Sequence, residues 1–315
     1  MVALPDNRPR RSALYVPGDR ARALAKAEAL GCDVVIFDLE DAVAPAAKHD
    51  AREAVRAHFA APPASVAERV IRINGLDTPW GTEDLLAARA AMPDALLIPK
   101  VDSARTLFAV VDALEQTDVP DALRLWAMIE TPGGIVNAAA IAERGREAPV
   151  PLACLVVGSN DLYKATGLAG ATARGHVHPW LMQVVLAARA SGVAVLDGVF
   201  NDHSDLAGFK AECGQGAQMG FDGKTLIHPR QVETANAVFA PDAEEIARAR
   251  RLVSAFAEPE NEGRGVIAFE GAMAERLHLE QAEALLARAA RIADPDQQAK
   301  ERTNADEGLS HAHRI

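Results

Sequence analysis

Three features of the sequence predict an α/β fold, in the form of a closed (β/α)8 (TIM) barrel with a C-terminal helical arm. Short apolar runs rich in β-branched residues alternate with longer Ala-, Arg- and Glu-rich stretches, which is the pattern of parallel βαβ units. The apolar runs are nearly continuous, as in strands buried on both faces. The length of 315 residues accommodates one barrel of about 250 residues and an added segment. An open doubly wound sheet is the alternative architecture.

The predicted strands and helices alternate along the chain. Valine, isoleucine and leucine dominate the strand segments, which are residues 13–16, 34–37, 70–73, 95–98, 125–129, 152–157, 193–196 and, with the weakest pattern, 219–221. Apolar residues at helical spacing mark the helical segments, which are residues 21–30, 48–59, 81–91, 104–114, 134–143, 179–190 and 204–213.

The chain is expected to divide into four regions. These are an N-terminal extension (1–10), the barrel (11–257), an arm or lid (258–292) and a polar tail expected to be disordered (293–315). A helix over 243–256 ends the barrel region, and the break PENEGRG precedes the arm. The arm has a short apolar stretch and an Ala/Leu-rich helix, and it is too short to bury a core of its own.

Composition excludes several classes of function. The net charge of −11 argues against a nucleic-acid partner, which needs a basic surface. No apolar run approaches the length of about 18 residues that spans a membrane, and the N-terminal residues have no signal-peptide pattern. The three cysteines are scattered and have no metal-ligand spacing, so reduced thiols in a cytoplasmic protein are expected.

Charged side chains follow strands two to six, at the ends where a barrel of this kind carries its catalytic groups. They are Asp38, Glu40, Asp41, Arg72, Lys100, Glu130 and Asp161. Carboxylates that meet at one mouth repel each other unless a cation lies between them. Oxygen ligands favour Mg²⁺, with Mn²⁺ as the alternative, and Glu130 and Asp161 on adjacent strands are the predicted ligands. Each carboxylate alone could instead cap a helix or pair with an arginine.

Two further sets of residues are candidates for the site. Arg72 and Glu40 are candidate catalytic residues at the same predicted mouth, where Arg72 is either a counter-ion of the acids or a clamp for a substrate oxygen. Tyr15 lies in the first strand, and Arg20 and Lys26 follow it; basic residues there indicate either a phosphate site or a solvated helix face. His176 and His178 are placed in a loop without a metal role, and His228 is expected to order the last barrel loop.

Seven segments in one order resemble the citrate lyase beta-subunit-like family of the HpcH/HpaI aldolase superfamily. The resemblance covers about residues 11–292 and rests on RSALYVPGDRARALAKA (11–27), VVIFDLEDAV (34–43), RVIRINGLDTPWG (69–81), LLIPKV (96–101), IETPGGI (129–135), VVGSNDL (156–162) and GKTLIHPRQV (223–232). That family includes malyl-CoA and citramalyl-CoA lyases and malyl-CoA thioesterase.

The resemblance implies a role for each candidate residue. Glu130 and Asp161 match the family's Mg²⁺ ligands, and Arg72 matches the arginine at the carbonyl and enolate oxygens. The positions that hold CoA correspond to Tyr15, Arg20 and Lys26. Family members are commonly trimers or hexamers whose arm closes over a neighbouring subunit's site, so a homotrimer or homohexamer is implied.

One departure from the family pattern bears on the reaction. Related enzymes usually carry an aspartate on the arm as the acid or base, and Glu275 takes that place here. The resemblance implies a Mg²⁺-dependent lyase that cleaves a short 3-hydroxyacyl-CoA to an acyl-CoA and a 2-keto acid by retro-Claisen chemistry. Because the added methylene can misplace the carboxylate, a malyl-CoA-type thioesterase is an alternative. A citrate lyase beta subunit that acts on an acyl-carrier-protein thioester is another.

Overall fold

A computed structural model describes residues 8–116, 120–168 and 173–294, and it confirms the predicted barrel. Eight parallel strands close in sequence order, and the last pairs with the first. The strands are β1 (Ser12–Pro17), β2 (Val34–Asp38), β3 (Glu68–Arg72), β4 (Ala95–Ile98), β5 (Arg124–Ile129), β6 (Leu152–Val157), β7 (Ala194–Asp197) and β8 (Gly223–Leu226).

Helices follow the strands and form the outer layer of the barrel. They are α1 (Ala21–Ala27), α2 (Lys48–Phe59), α3 (Gly81–Ala91), α4 (Ala104–Glu115), α5 (Pro132–Val136), α6 (Ala138–Arg146), α7 (Ser159–Thr166), α8 (Ala173–Ser191), α9 (Leu206–Met219) and α10 (Val232–Val238). Short 3-10 helices lie at Glu28–Leu30, Pro45–Ala47 and Pro229–Gln231. His228 orders the last of these, as expected, because its Nδ1 accepts a hydrogen bond from the Arg230 N–H at 3.1 Å.

Two apolar layers bury the strands, one on each face. Alternate residues point into the barrel, where Ile36, Leu97 and Trp126 form part of a closed inner cluster. The intervening residues, among them Val35 and Leu96, pack outward against the helices. Because successive side chains of a strand alternate between its faces, the inward series of β2 continues to Asp38 and that of β3 to Arg72. This alternation brings both charged side chains to the inside of the barrel mouth.

The prediction of the eighth strand at residues 219–221 is wrong. These residues end α9, where Gly220 takes a left-handed conformation, and the strand follows at Gly223–Leu226. The apolar pattern missed β8 because its outward side chain is Lys224, fully buried and bonded to Asp197 and Glu212. Those partners lie 27 and 12 residues away, so no local pattern reveals them.

Two helices also differ from the sequence prediction. The helix expected over 134–143 is broken at Asn137 into α5 and α6. α8 begins before Pro179, so His176 and His178 lie in a helix and not in the predicted loop. Val177, Leu181 and Val184 are all buried at helical spacing across the proline, and this packing outweighs the helix-breaking tendency of Pro179.

The C-terminal unit begins at Ala240, before the predicted boundary at 257. It contains α11 (Ala243–Ala257), a 3-10 helix (Pro259–Asn261), an antiparallel hairpin of β9 (Val266–Phe269) and β10 (Ala272–Glu275), and α12 (Arg276–Ala293). This unit has a small core because α11 supplies part of it, with Leu252 and Phe256 beside Ile267, Ala274 and Ala282. The N-terminal residues 1–7 and most of the predicted tail (295–315) lie outside the described residues. No helix among the residues that are described has the length and apolar character needed to cross a membrane.

Candidate active site

Arg72 lies inside the barrel mouth and is held by Asp38. Its Nε donates to Asp38 Oδ1 at 2.6 Å and its Nη2 donates to Oδ2 at 2.5 Å. Burial alone would lower the pKa of Arg72, but the Asp38 carboxylate raises it well above the ordinary value, so the guanidinium stays charged. The two parallel hydrogen bonds fix the plane of the guanidinium. Its Nη1 is the nitrogen that Asp38 does not engage, and it lies near Glu40 and the Met128 sulfur.

Tyr15 and Met128 form the floor beneath this arginine. The guanidinium lies 4.8 Å from the centre of the Tyr15 ring. The Tyr15 hydroxyl and Arg72 Nη1 approach the Met128 sulfur at 3.9 Å and 3.7 Å. Burial raises the pKa of Tyr15, so its phenol remains neutral. The structure thus places Tyr15 beside Arg72, and the CoA contact that the family resemblance implies for it stays a prediction.

Glu40 lies between two cations at the same mouth. One carboxylate oxygen is 3.1 Å from Arg72 Nη1 and the other forms an ion pair with Lys100 Nζ. The buried ammonium of Lys48 holds the Glu40 loop from behind, since it donates at 2.8 Å to the backbone carbonyls of Leu39 and Glu40. Two ion pairs therefore hold the carboxylate of Glu40, and Lys48 holds its backbone.

Glu130 is the more buried of the two predicted metal ligands. It is 2% exposed, and a Cβ at Gly158 would collide with its carboxylate. Burial raises the pKa of Glu130 to about 8, and the neighbouring acids Glu40 and Asp161 add to the effect. The Lys100 backbone N–H donates to Glu130 Oε1 at 2.8 Å and opposes that shift. A buried carboxylate among other acids is stabilised by a cation.

Asp161 lies in the first turn of α7, directly after β6, while Glu130 follows β5. Asp161 is near enough to Glu130 to contribute to the raised pKa of Glu130. The described residues contain no cluster of three or more His, Cys, Asp or Glu side chains suited to a metal. Two carboxylates nevertheless fit Mg²⁺, which is commonly held by one or two carboxylates and completes its shell with water and substrate oxygens.

The other predicted site residues lie elsewhere. Arg20 precedes α1 with its side chain 73% exposed, and Lys26 is exposed in the last turn of that helix. Both are available to a ligand in solution, and their CoA role stays a prediction. Glu275 belongs to the C-terminal unit, where it ends β10 and is exposed. Its backbone N–H donates to His278 Nδ1 at 2.9 Å.

Two residues of the mouth received no specific role from the sequence. Asp38 was recognised only as one of several acids, although its alternation with Val34 and Ile36 marks it as inward-facing. Lys100 was recognised only as a charge after strand four. Its contacts with Glu40 and Glu130 depend on residues 60 and 30 positions away. The mouth as a whole can hold a divalent cation and present an arginine to a polarised oxygen.

Comparison with known proteins agrees with this geometry. The family model for HpcH/HpaI aldolase/citrate lyase matches residues 11–229. The chain is 47% identical over 285 residues to (3S)-malyl-CoA thioesterase from Cereibacter sphaeroides, covering 90% of this chain and 96% of that protein. It is 35% identical over 277 residues to citrate lyase subunit beta from Leuconostoc mesenteroides subsp. cremoris, covering 86% and 90%.

A solved structure shares the fold across the chain. The crystal structure of CitE from Mycobacterium tuberculosis in complex with magnesium, acetoacetate and coenzyme A matches with a TM-score of 0.70 and 32% identity. The match covers 92% of this chain and 100% of that one.

Proposed function

The chain belongs to the HpcH/HpaI aldolase/citrate lyase family, and from this premise we propose that it is a Mg²⁺-dependent thioesterase for a short 3-hydroxyacyl-CoA of the malyl-CoA type. The observation that carries this proposal is the 47% identity to a malyl-CoA thioesterase over 285 residues. The family model spans only 11–229, so an alignment of that length also includes the C-terminal unit. The citrate lyase beta relatives are less similar, at 35% or below.

The residues of the mouth support binding of such a substrate. Glu130 and Asp161 would hold Mg²⁺, which when bound polarises the substrate oxygens that coordinate it. Arg72, fixed by Asp38, would stabilise the thioester oxygen, where negative charge develops as the carbonyl is attacked. Arg20 and Lys26 would contact the phosphates of CoA from the exposed start and end of α1.

Hydrolysis requires a base for the attacking water. The water oxygen bonds to the thioester carbon, the carbon–sulfur bond breaks, and CoA leaves as a thiolate that takes up a proton. We assign the base to Glu275, which accepts the water proton when its arm closes over the site of a neighbouring copy. A homotrimer or homohexamer in the cytoplasm is part of this proposal, as are Mg²⁺, with Mn²⁺ as a substitute, and a CoA thioester.

Carbon–carbon cleavage, the first expectation from the sequence, is the second candidate. In that reaction the substrate hydroxyl passes its proton to water, the bond to the acyl-CoA α-carbon breaks, and a 2-keto acid leaves. The resulting enolate, facing Arg72, takes a proton from Glu275. The solved structures of CitE with magnesium and pyruvate and of the citrate lyase beta subunit with oxaloacetate and magnesium favour this candidate, because pyruvate and oxaloacetate are 2-keto acids.

Product analysis separates the two reactions. The purified chain is incubated with Mg²⁺ and (3S)-malyl-CoA, and free thiol, 2-keto acid and acyl-CoA are measured separately. Thioester hydrolysis yields thiol without keto acid, whereas cleavage yields keto acid and acyl-CoA in equal amounts without thiol. Turnover of free CoA thioesters by the isolated chain would also exclude a need for a carrier protein. No product from any short 3-hydroxyacyl-CoA would refute the proposal.

A further inference from the structure

Lys100 has an unusual backbone for a residue with a side chain. Its φ is +51°, in the left-handed region that glycine adopts without cost. Among the described residues, Met92 and Glu270 are the other non-glycine residues with positive φ. Met92 ends α3, and Glu270 lies in the β9–β10 turn, both common places for this conformation. Lys100 is in neither setting, because it lies at the barrel mouth between β4 and α4.

This conformation directs the two ends of Lys100 to two different acids. The backbone N–H donates to Glu130 Oε1 at 2.8 Å, and the described structure shows no other hydrogen bond to the Glu130 carboxylate. The side-chain ammonium forms an ion pair with Glu40 and lies 3.8 Å from Asp41 Oδ1. One residue therefore contacts the predicted metal ligand through its backbone and a predicted catalytic carboxylate through its side chain.

Glycine would satisfy the backbone requirement alone. It would keep the N–H toward Glu130 and remove the conformational cost, but it would leave Glu40 with Arg72 as its remaining cation. The side chain of Lys100 is half exposed, so it adds little to the apolar core. The strained conformation is thus explained if the ammonium is needed at this point of the mouth.

We propose that Lys100 is a positioning residue that holds Glu40 with its ammonium while its backbone N–H orients Glu130. This inference rests on the proposed function for its link to turnover, but the placement of Glu40 is independent of it. With Lys100 in place, the carboxylate of Glu40 stays between two cations, and the carboxylate of Glu130 stays directed to the metal. The two acids are kept apart at one mouth.

Two substitutions at this position separate the ammonium from the backbone. K100M and K100G both remove the charge, so both should lower kcat by about 10–100-fold, the usual cost of a misplaced group. K100R retains a cation and should stay within about threefold of wild type, since the ion pair survives. K100G should have a urea midpoint about 0.3 M above that of K100M, because glycine removes the left-handed strain.

M92G is the matched control for strain. Met92 also has positive φ, is 72% exposed and ends a helix away from the mouth. Its replacement by glycine should raise the urea midpoint by a similar amount and leave kcat unchanged. Wild-type kcat in K100G, or K100R no more active than K100M, would overturn the proposal.

Mg²⁺ binding and crystallography distinguish positioning from loss of the metal. In K100G the Mg²⁺ dissociation constant, measured by calorimetry, should be equal to or below that of wild type, because the N–H to Glu130 remains and one positive charge is gone. Weaker binding by more than threefold contradicts the inference. Crystal structures of wild type and K100M should show the Glu40 carboxylate displaced in K100M with Glu130 unmoved. If wild type turns over no thioester, the proposed function fails, and this comparison still decides the role of Lys100.

Discussion

Asp38 and Arg72 form a two-point ion pair inside the barrel mouth, with donor–acceptor distances of 2.6 and 2.5 Å. Asp38 is fully buried and also accepts the backbone N–H groups of Glu40 and Ala42 at 2.8 and 3.2 Å. The same carboxylate therefore orients the guanidinium and shapes the loop that carries Glu40. We therefore expect binding and catalysis at this mouth to depend on a side chain that need not touch the substrate.

Replacing Asp38 should impair both turnover and stability. D38N removes a charge from a buried pair, so the free energy of unfolding should fall by about 3 kcal/mol. Arg72 loses its fixed orientation, and kcat/KM should fall by about 100-fold. Urea denaturation and steady-state kinetics measure the two effects. The control D121N changes an exposed aspartate before β5 and should alter neither quantity. A fully active D38N would show that Arg72 does not need this partner.

Mg²⁺ binding should release a proton from Glu130. Burial raises the pKa of this carboxyl to about 8 in the metal-free protein, so it is largely protonated at neutral pH. Metal binding requires the carboxylate, and protons therefore compete with Mg²⁺ below about pH 8. Calorimetry at pH 7 in buffers of different ionisation enthalpy should detect release of about one proton per ion. E130Q should bind Mg²⁺ weakly and release none. An affinity independent of pH between 6 and 8 would contradict the raised pKa.

The same carboxyl should make the metal-free protein less stable as the pH rises. The folded-state pKa of about 8 lies above the ordinary value of 4.5, so the folded protein retains a proton that the unfolded chain releases. The Glu130 contribution is fully present below pH 4.5 and is lost as the pH rises to about 8. Urea denaturation in chelator should therefore show a decline across this window that is absent in E130Q. Mg²⁺ should reverse the decline, since it replaces the proton.

The barrel was predictable because seven of its strands are local apolar runs, such as Leu152–Val157 and Ala95–Ile98, whose pattern is complete within a few residues. Arg72 and Glu130 could be found for a related reason, since a charged residue directly after such a run lies at the mouth. β8 could not be found because the burial of Lys224 depends on acids on other elements. The contacts of Lys100 could not be predicted for the same reason, because its partners Glu40 and Glu130 are distant in the sequence.

The buried charges behind β8 should be important for folding. Asp197 is fully buried and accepts hydrogen bonds from Lys224 Nζ at 2.8 Å and from Arg174 at 2.8 and 3.1 Å. Although burial opposes it, these cations lower the pKa of Asp197. D197A would leave the buried Lys224 and the partly buried Arg174 short of a partner, so the free energy of unfolding should fall by about 3–5 kcal/mol. The exposed control D205A removes only the cap of α9 and should cost about 1 kcal/mol. Equal losses of unfolding free energy in the two variants would show that the ion pairs of Asp197 with Lys224 and Arg174 are not important for folding.

Glu275 provides the test of whether one copy completes the site of another. E275Q should lower kcat by about 100-fold or more, because an amide cannot accept or supply the proton, while Mg²⁺ affinity stays unchanged. The control E280Q changes an exposed glutamate on the same C-terminal unit and should remain active.

Co-expression of E275Q with E130Q extends this test to the assembly. Each variant alone lacks one essential carboxylate, but if the arm acts on a neighbouring subunit, random mixing should restore about a quarter of wild-type turnover, since half of the barrels and half of the arms remain intact. If each arm serves its own barrel, no mixed assembly contains a complete site and turnover stays at the level of the single variants. As a control, the two variants are expressed apart and mixed under conditions without subunit exchange. Turnover that is restored by co-expression but not by this mixing would place the site between copies.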